Sequence, residues 1–285
     1  MKNVNQLDIK NVLLEYLPLR KREANKGNFG HVVIIGGDKG FSGAVRLAGE
    51  AAYRVGAGLV TVLTHPDHSA TLNVARPELM CCGISRASDL KKHLLRATVI
   101  IFGPGLGSSA WSKMLFKAFL RLKMSLPIVV DADGLNWLSL LPAKMENWIL
   151  TPHPGEAARL LKKTTAEVQS DRIDAVKKLQ RQYGGICILK GQNTLIQGQS
   201  LYLCPLGNPG MASAGMGDVL SGVIGGLLAQ ELPLEIAASL GVYIHALAGD
   251  EAAKEGERGL MALDLMPFLR KIVNPDLHDK NLFFP

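Results

Sequence analysis

The run Asn208-Pro209-Gly210-Met211-Ala212-Ser213-Ala214-Gly215-Met216-Gly217-Asp218-Val219-Leu220-Ser221-Gly222 joins an anion cradle to a carboxylate, and an apolar helical pattern through Leu228 follows it. Gly215 and Gly217 let successive backbone N–H groups turn toward one point at a helix N-terminus. There, unsatisfied donors and a partial charge of about half a unit attract phosphate oxygens. Asp218, in the first turn of that helix, is placed to take a proton from a substrate hydroxyl as its oxygen attacks phosphorus in line. This is phosphoryl-transfer chemistry. A structural reading competes with it: Asp218 caps the helix, and Gly222, Gly225 and Gly226 permit close helix packing. The functional reading gains weight because the run does not stand alone.

Other chemistry-bearing clusters end short apolar runs: Gly36-Gly37-Asp38, Gly103-Pro104-Gly105-Leu106-Gly107, Asp131-Ala132-Asp133-Gly134, Thr151-Pro152-His153-Pro154-Gly155-Glu156 and Lys190-Gly191. The β-branched runs His31 to Ile35, Leu59 to Leu63, Thr98 to Phe102, Pro127 to Val130 and Ile186 to Leu189 read as buried strands. Helical patterns lie between them, such as Ala44 to Val55, Ala110 to Lys123 and Thr165 to Tyr183. The alternation predicts an α/β fold with a mostly parallel central sheet and helices on both faces. Ligands of such folds bind beyond the carboxyl ends of the strands, so the clusters line one crevice. Two short runs from Thr194 to Cys204 flank Gln197-Gly198-Gln199-Ser200 and predict a hairpin at the sheet edge. The C-terminal third reads as mostly helix.

Within the crevice, His153 between two prolines suits aiming an imidazole at a ligand, with a backbone-bonded histidine as the alternative. Lys190 follows a buried run and precedes Gly191, where an ammonium can meet phosphate as backbone approaches closely; a solvated strand-end lysine is the alternative. Ala44 and Gly105 read by themselves as small residues at tight strand-to-helix turns. Asp131 and Asp133 either face the crevice or form a turn.

The 285 residues are 47% apolar and 20% charged with 30 glycines, the composition of an ordinary globular chain able to build one large core. The formal charge of +7 is spread along the chain. The densest basic run, Arg20-Lys21-Arg22, lacks interleaved aromatics or a nucleic-acid-binding signature, so no nucleic-acid partner is expected. Four cysteines form no C-x-x-C, and no apolar run reaches the length of a bilayer span or signal core, which predicts a cytoplasmic chain with no membrane association. No G-x-G-x-x-G opens a helix after the first strand and no P-loop occurs, which argues against a standard dinucleotide fold. A single domain from 25 to 273 is expected, preceded by a helical arm (1–24) and followed by a tail (274–285) ending in Phe283 and Phe284.

From Gly27 to about Ala262 the chain resembles the ADP/ATP-dependent NAD(P)H-hydrate dehydratases, a carbohydrate-kinase-like branch of the ribokinase-like superfamily. The resemblance rests on Lys26-Gly27-Asn28-Phe29-Gly30-His31 leading to Ile35-Gly36-Gly37, on Ser42-Gly43-Ala44, Arg54-Val55-Gly56-Ala57-Gly58-Leu59-Val60 and Ala75-Arg76-Pro77-Glu78, on the clusters at 103–107, 130–136, 150–156 and 189–194, and on the Asp218 run. It implies a ribokinase-like fold and restoration of hydrated NADH or NADPH by dehydration driven by ADP or ATP. Phosphorylating the added hydroxyl turns a poor leaving group into a good one, and loss of phosphate regenerates the conjugated ring. By the resemblance, Ala44, Gly105, His153 and Asp218 contact the hydrated dinucleotide, with Asp218 as catalytic base. Lys190, Gly191, Gln192, Asn193, Thr194 and Gly217 hold the ADP or ATP.

The spacing of His153 and Glu156 is similar to the Asn-x-x-Glu by which ribokinase relatives hold the water shell of magnesium. Histidine stands here for asparagine, leaving Glu156 divided between a Mg2+ role and a helix-terminal one. Ala214 replaces a glycine common in relatives and predicts a backbone outside the left-handed region there. The resemblance further implies a homotetramer and, because the segment before Asn25 is too short to encode one, a separate NAD(P)H-hydrate epimerase as partner. The rival reading is a kinase of a small hydroxylated metabolite such as a thiazole alcohol or sugar.

Overall fold

The computed structural model describes residues 4–274. Its strands are β1 His31–Ile35, β2 Leu59–Thr64, β3 Met80–Gly83, β4 Val99–Phe102, β5 Ile128–Val130, β6 Trp148–Leu150, β7 Ile186–Leu189, β8 Thr194–Gln197 and β9 Leu201–Cys204. They form one sheet in the order β3-β2-β1-β4-β5-β6-β7-β8-β9. The pairs from β3 to β7 are parallel; β8 and β9 add antiparallel as the expected edge hairpin. The helices are α1 Ile9–Tyr16, α2 Ser42–Arg54, α3 Asp89–Leu94, α4 Ala110–Arg121, α5 Asp133–Leu140, α6 Pro154–Leu161, α7 Thr165–Ser170, α8 Arg172–Tyr183, α9 Met216–Ala229, α10 Leu234–Ala252 and α11 Leu265–Ile272.

The apolar runs feed two cores because side chains alternate across a strand. Val32, Ile34, Val60, Val62, Val99 and Ile101 face α2, α9, α10 and α11, whereas Val33, Ile35, Leu63, Ile100 and Phe102 face α4, α5, α6 and α8. Covering both faces explains why these strands are continuously hydrophobic. Helix α9 lies against α2 closely enough that a methyl on Gly222 would strike the Ala48 carbonyl. Gly222 therefore does serve packing, and that contact fixes how α9 presents its N-terminus.

One expected helix is corrected. The pattern from Thr165 to Tyr183 is two helices, because Asp171 breaks it and caps α8 by accepting the Asp174 N–H. Strands β4 and β5 start at Val99 and Ile128, one residue later than expected at each. Near the N-terminus, Asn5 pairs with the edge of β9, and α1 buries Leu13 in the first core. Of the tail expected from 274, all but Asn274 lies outside the described residues. No helix among those residues is long and apolar enough to cross a membrane.

Candidate active site

Asp131, Thr151 and Lys190 each follow directly on a strand, β5, β6 and β7, so neighbouring carboxyl ends bring them together. The Lys190 ammonium donates to Asp131 Oδ1 at 2.9 Å and lies 3.9 Å from Glu156 Oε2. A methyl on Gly217 would sit 3.2 Å from Lys190 Nζ and 3.7 Å from Asp131 Oδ2. The cation therefore stands against the start of α9, one residue before Asp218. Gly215, with φ 91°, turns the chain into that helix, and its N-terminus carries no side-chain cap. Asp218 does not serve as the cap that the structural reading assigned to it. Ala214 is not among the described residues with positive φ, as its side chain requires.

Burial, reinforced by the negative charge of Asp131, pushes the half-buried Asp218 carboxyl up to about 7 against the pull of Lys190. A carboxylate titrating there is matched to proton abstraction near neutrality. Burial likewise takes Glu156 up to about 7, although Lys190 opposes it. Burial by itself lowers the pKa of Lys190; Asp131 and Glu156 more than offset this, and the ammonium stays charged.

His153 and Glu156 form a reciprocal cap on α6. His153 Nδ1 accepts the Gly155 N–H at 3.0 Å, and Glu156 Oε2 accepts the His153 N–H at 2.8 Å. The backbone-bonded alternative for His153 is thus realised, and it aims the ring: the half-exposed imidazole presents its Nε2 edge, 3.5 Å from Glu156 Oε1. Burial, with Lys190 and Arg159 nearby, lowers its pKa and keeps it neutral at pH 7.

Ala44 and Gly105 meet on the other wall. A methyl on Gly105, whose φ is 56°, would lie 3.0 Å from Ala44 Cβ and 2.6 Å from the Phe41 carbonyl oxygen. This wall connects to the charged one through Asp133, whose Oδ2 accepts the Gly107 N–H at 2.8 Å and whose charge raises the Asp218 pKa. Gly191, Gln192 and Asn193 are exposed in the β7–β8 turn. Thr194 bonds back to the Gly191 carbonyl.

Several contributors escaped the sequence reading. Arg172 braces that turn from α8, reaching the Leu189 carbonyl at 3.1 Å and the Lys190 carbonyl at 3.4 Å; nothing local in the sequence marks it. Ser221 was not given a role either, though its place one turn beyond Asp218 puts it on the same face of the helix. Its hydroxyl donates to Asp131 Oδ2 at 2.7 Å.

Comparison with known proteins shows the family and the fold. A family model described as NAD(P)H-hydrate dehydratase matches residues 32–271. The chain is 57% identical over 262 residues to the bifunctional NAD(P)H-hydrate repair enzyme Nnr of Coxiella burnetii, covering 91% of this chain and 53% of that protein. It thus spans about half the length of such bifunctional relatives. It is 38% identical to the ADP-dependent (S)-NAD(P)H-hydrate dehydratase of Neisseria meningitidis, covering 90% of this chain and 88% of that one. The Bacillus subtilis ADP/ATP-dependent NAD(P)H-hydrate dehydratase, co-crystallized with ATP/Mg2+, superposes with a TM-score of 0.82 at 27% identity, covering 95% and 98% of the two chains. The sheet and its helical layers are ribokinase-like. On the match of family model and sequence, this chain belongs to the NAD(P)H-hydrate dehydratase family.

Proposed function

We propose that the chain dehydrates (S)-NADHX and NADPHX, the hydrated forms of NADH and NADPH, using ADP or ATP. The observation that carries the reading is the convergence at one point of the Lys190 cation, the uncapped N-terminus of α9 and the Asp218 carboxylate with its pKa near 7. The choice of dehydration over simple phosphorylation rests on the Neisseria relative, matched over most of both chains.

In the first step, Asp218 takes the proton of the substrate hydroxyl and that oxygen bonds to the terminal phosphorus of the nucleotide. The bond from phosphorus to its bridging oxygen breaks, releasing AMP from ADP or ADP from ATP. Backbone N–H groups at Gly215 and Gly217, with Lys190, bind the charge of the transferring group. In the second step, the ring C–O bond breaks, phosphate leaves with the electron pair, the neighbouring carbon gives up a proton to water and the ring double bond returns. Ala44, Gly105 and His153 bind the hydrated dinucleotide beside Asp218. Lys190, Gly191, Gln192, Asn193, Thr194 and Gly217 bind the nucleotide.

Magnesium, bound with the phosphates, supplies charge neutralisation. Among the described residues no group of three His, Cys, Asp or Glu is placed to hold a metal. One carboxylate, Glu156, with phosphates and water as the other ligands fits the usual magnesium arrangement at nucleotide sites. The reading also implies a cytoplasmic setting, a homotetramer and an NAD(P)H-hydrate epimerase that interconverts the substrate epimers.

The test supplies purified protein with hydrated NADH and ADP, then ATP. Recovery of reduced-nicotinamide absorbance is expected. Nucleotide-dependent phosphorylation of a thiazole alcohol or sugar with no such recovery would instead establish the kinase alternative.

A further inference from the structure

Asp131 is a carboxylate with 1% of its side chain exposed, and every one of its oxygen contacts is made by a different element. Oδ1 accepts from Thr151 Oγ1 at 2.7 Å and from Lys190 Nζ at 2.9 Å; Oδ2 accepts from Ser221 Oγ at 2.7 Å. One group therefore ties together the carboxyl ends of β5, β6 and β7 and fastens them to α9, three residues beyond Asp218. Burial alone would raise its pKa, but Lys190 and the hydrogen bonds hold it below the ordinary carboxylate value, so the pair is ionised. The next residue, Ala132, takes φ 47° and ψ −121°, a strained conformation for alanine at the point where the chain turns from Asp131 into α5. Such strain persists only where the surrounding contacts over-determine it.

The consequence concerns Lys190. Its long flexible stem leaves the ammonium without a fixed place, and an ammonium misplaced by about 1 Å loses much of its effect on a transition state. Asp131 supplies the fixed place. It also repels an incoming phosphate, which no residue selected for nucleotide affinity alone would do. We propose that Asp131 is a positioning residue, holding the Lys190 ammonium against Gly217 and locking the start of α9 in register with it. The inference rests on the phosphoryl-transfer reading of the site and names a residue which that reading leaves without a role.

Asp131→Asn tests it, since an amide keeps an acceptor for Thr151 and Lys190 and offers a donor to Ser221 while losing the charge. We expect kcat to fall by about 100-fold while the ADP dissociation constant stays within about threefold or tightens as the repulsion is relieved. The acid limb of the kcat/KM profile moves to lower pH, because the charge raising the Asp218 pKa is gone. A tether with only a structural role would produce none of that split. Folded Asp131→Asn with wild-type kcat overturns the proposal. Should Asp131→Asn not fold, Ser221→Ala carries the test: kcat lower by about fivefold with ADP binding retained is expected, and unchanged kcat overturns it. A third measurement needs no turnover. In lysine-labelled protein the Lys190 15Nζ signal should be resolved and protected from exchange, and Asp131→Asn, or Ser221→Ala in its place, should weaken that protection; an unchanged signal contradicts the proposal. Wild-type protein that fails to restore hydrated NADH would count against the proposed function alone.

Discussion

The two ends of the parallel sheet each hold buried charge, but of different kinds. At the amino ends, a cleft of about 1900 Å³ runs beside Arg20, Arg54, Arg76 and Glu50. There, the charges are only partly matched: Glu50 Oε1 accepts from Arg54 and Arg76, but Glu50 Oε2 and Arg76 Nε are buried without a hydrogen-bond partner, while Arg20 donates to the Gly56 carbonyl and lies 3.6 Å above the Phe29 ring. At the carboxyl ends, Lys190 is shared among Asp131, Glu156 and Asp218, and two of those carboxyls titrate near neutrality. Left-handed backbone occurs there at Gly103, Gly105, Gly107, Ala132, Gly191, Asn193 and Gly215, as it does beside the cleft at Gly56 and Glu231. The volume of that cleft does not by itself mark a site of chemistry. Two carboxyls pushed up to about 7 around one buried ammonium set the carboxyl ends apart.

The contrast can be broken most forcefully by moving the same kind of substitution between ends. Lys190→Met should weaken ADP binding by about 100-fold, since it removes a charge-assisted contact to phosphate, whereas Arg76→Met should leave it unchanged. Calorimetric titration with ADP reads both, and equal losses would dissolve the distinction.

Next in size is the pH dependence. Asp218 must be ionised to accept a proton, and its pKa lies at about 7. Activity as kcat/KM should therefore fall about tenfold per unit below pH 7 and level off above it. A profile flat down to pH 5 would mean an unperturbed carboxylate.

Glu50→Ala sharpens the other side. It leaves Arg76 and Arg54 without their carboxylate and should cost about 3 kcal/mol in urea unfolding, the low end for a broken buried pair because both arginines are partly exposed. kcat/KM should not change.

The smallest effect is on stability at the site. The folded pKa of Asp218 exceeds the value of 3.8 that it has when unfolded. Its protonated form is thus favoured by folding below the unfolded pKa, and that advantage is lost as pH rises through 7. Asp218→Asn should accordingly raise Tm by a few degrees at pH 8 and by nothing at pH 4, as scanning calorimetry can follow.

Much of this contrast was legible in the sequence because strand runs and the clusters ending them are local. β-branched runs announced β1, β2, β4, β5 and β7, and the glycines around Asp218 announced the start of α9. Strand β3 was not announced, because Met80-Cys81-Cys82-Gly83 contains no β-branched residue and sits on the edge. Strand β6, Trp148-Ile149-Leu150, has a single β-branched residue, unlike the equally short Ile-Val-Val of β5, and so was marked only by the cluster that ends it. Asp131 could not be separated from a turn-forming aspartate, since its partners Thr151, Lys190 and Ser221 lie 20, 59 and 90 residues away. Local chemistry is written locally; the pairing of charges is written in the topology.

The most direct measurement is the recovery of reduced-nicotinamide absorbance from hydrated NADH and ADP by Asp218→Asn beside the wild-type protein. Loss of recovery by about 1000-fold or more, with ADP binding intact, is the result expected of a general base. Recovery at the wild-type rate would contradict the account.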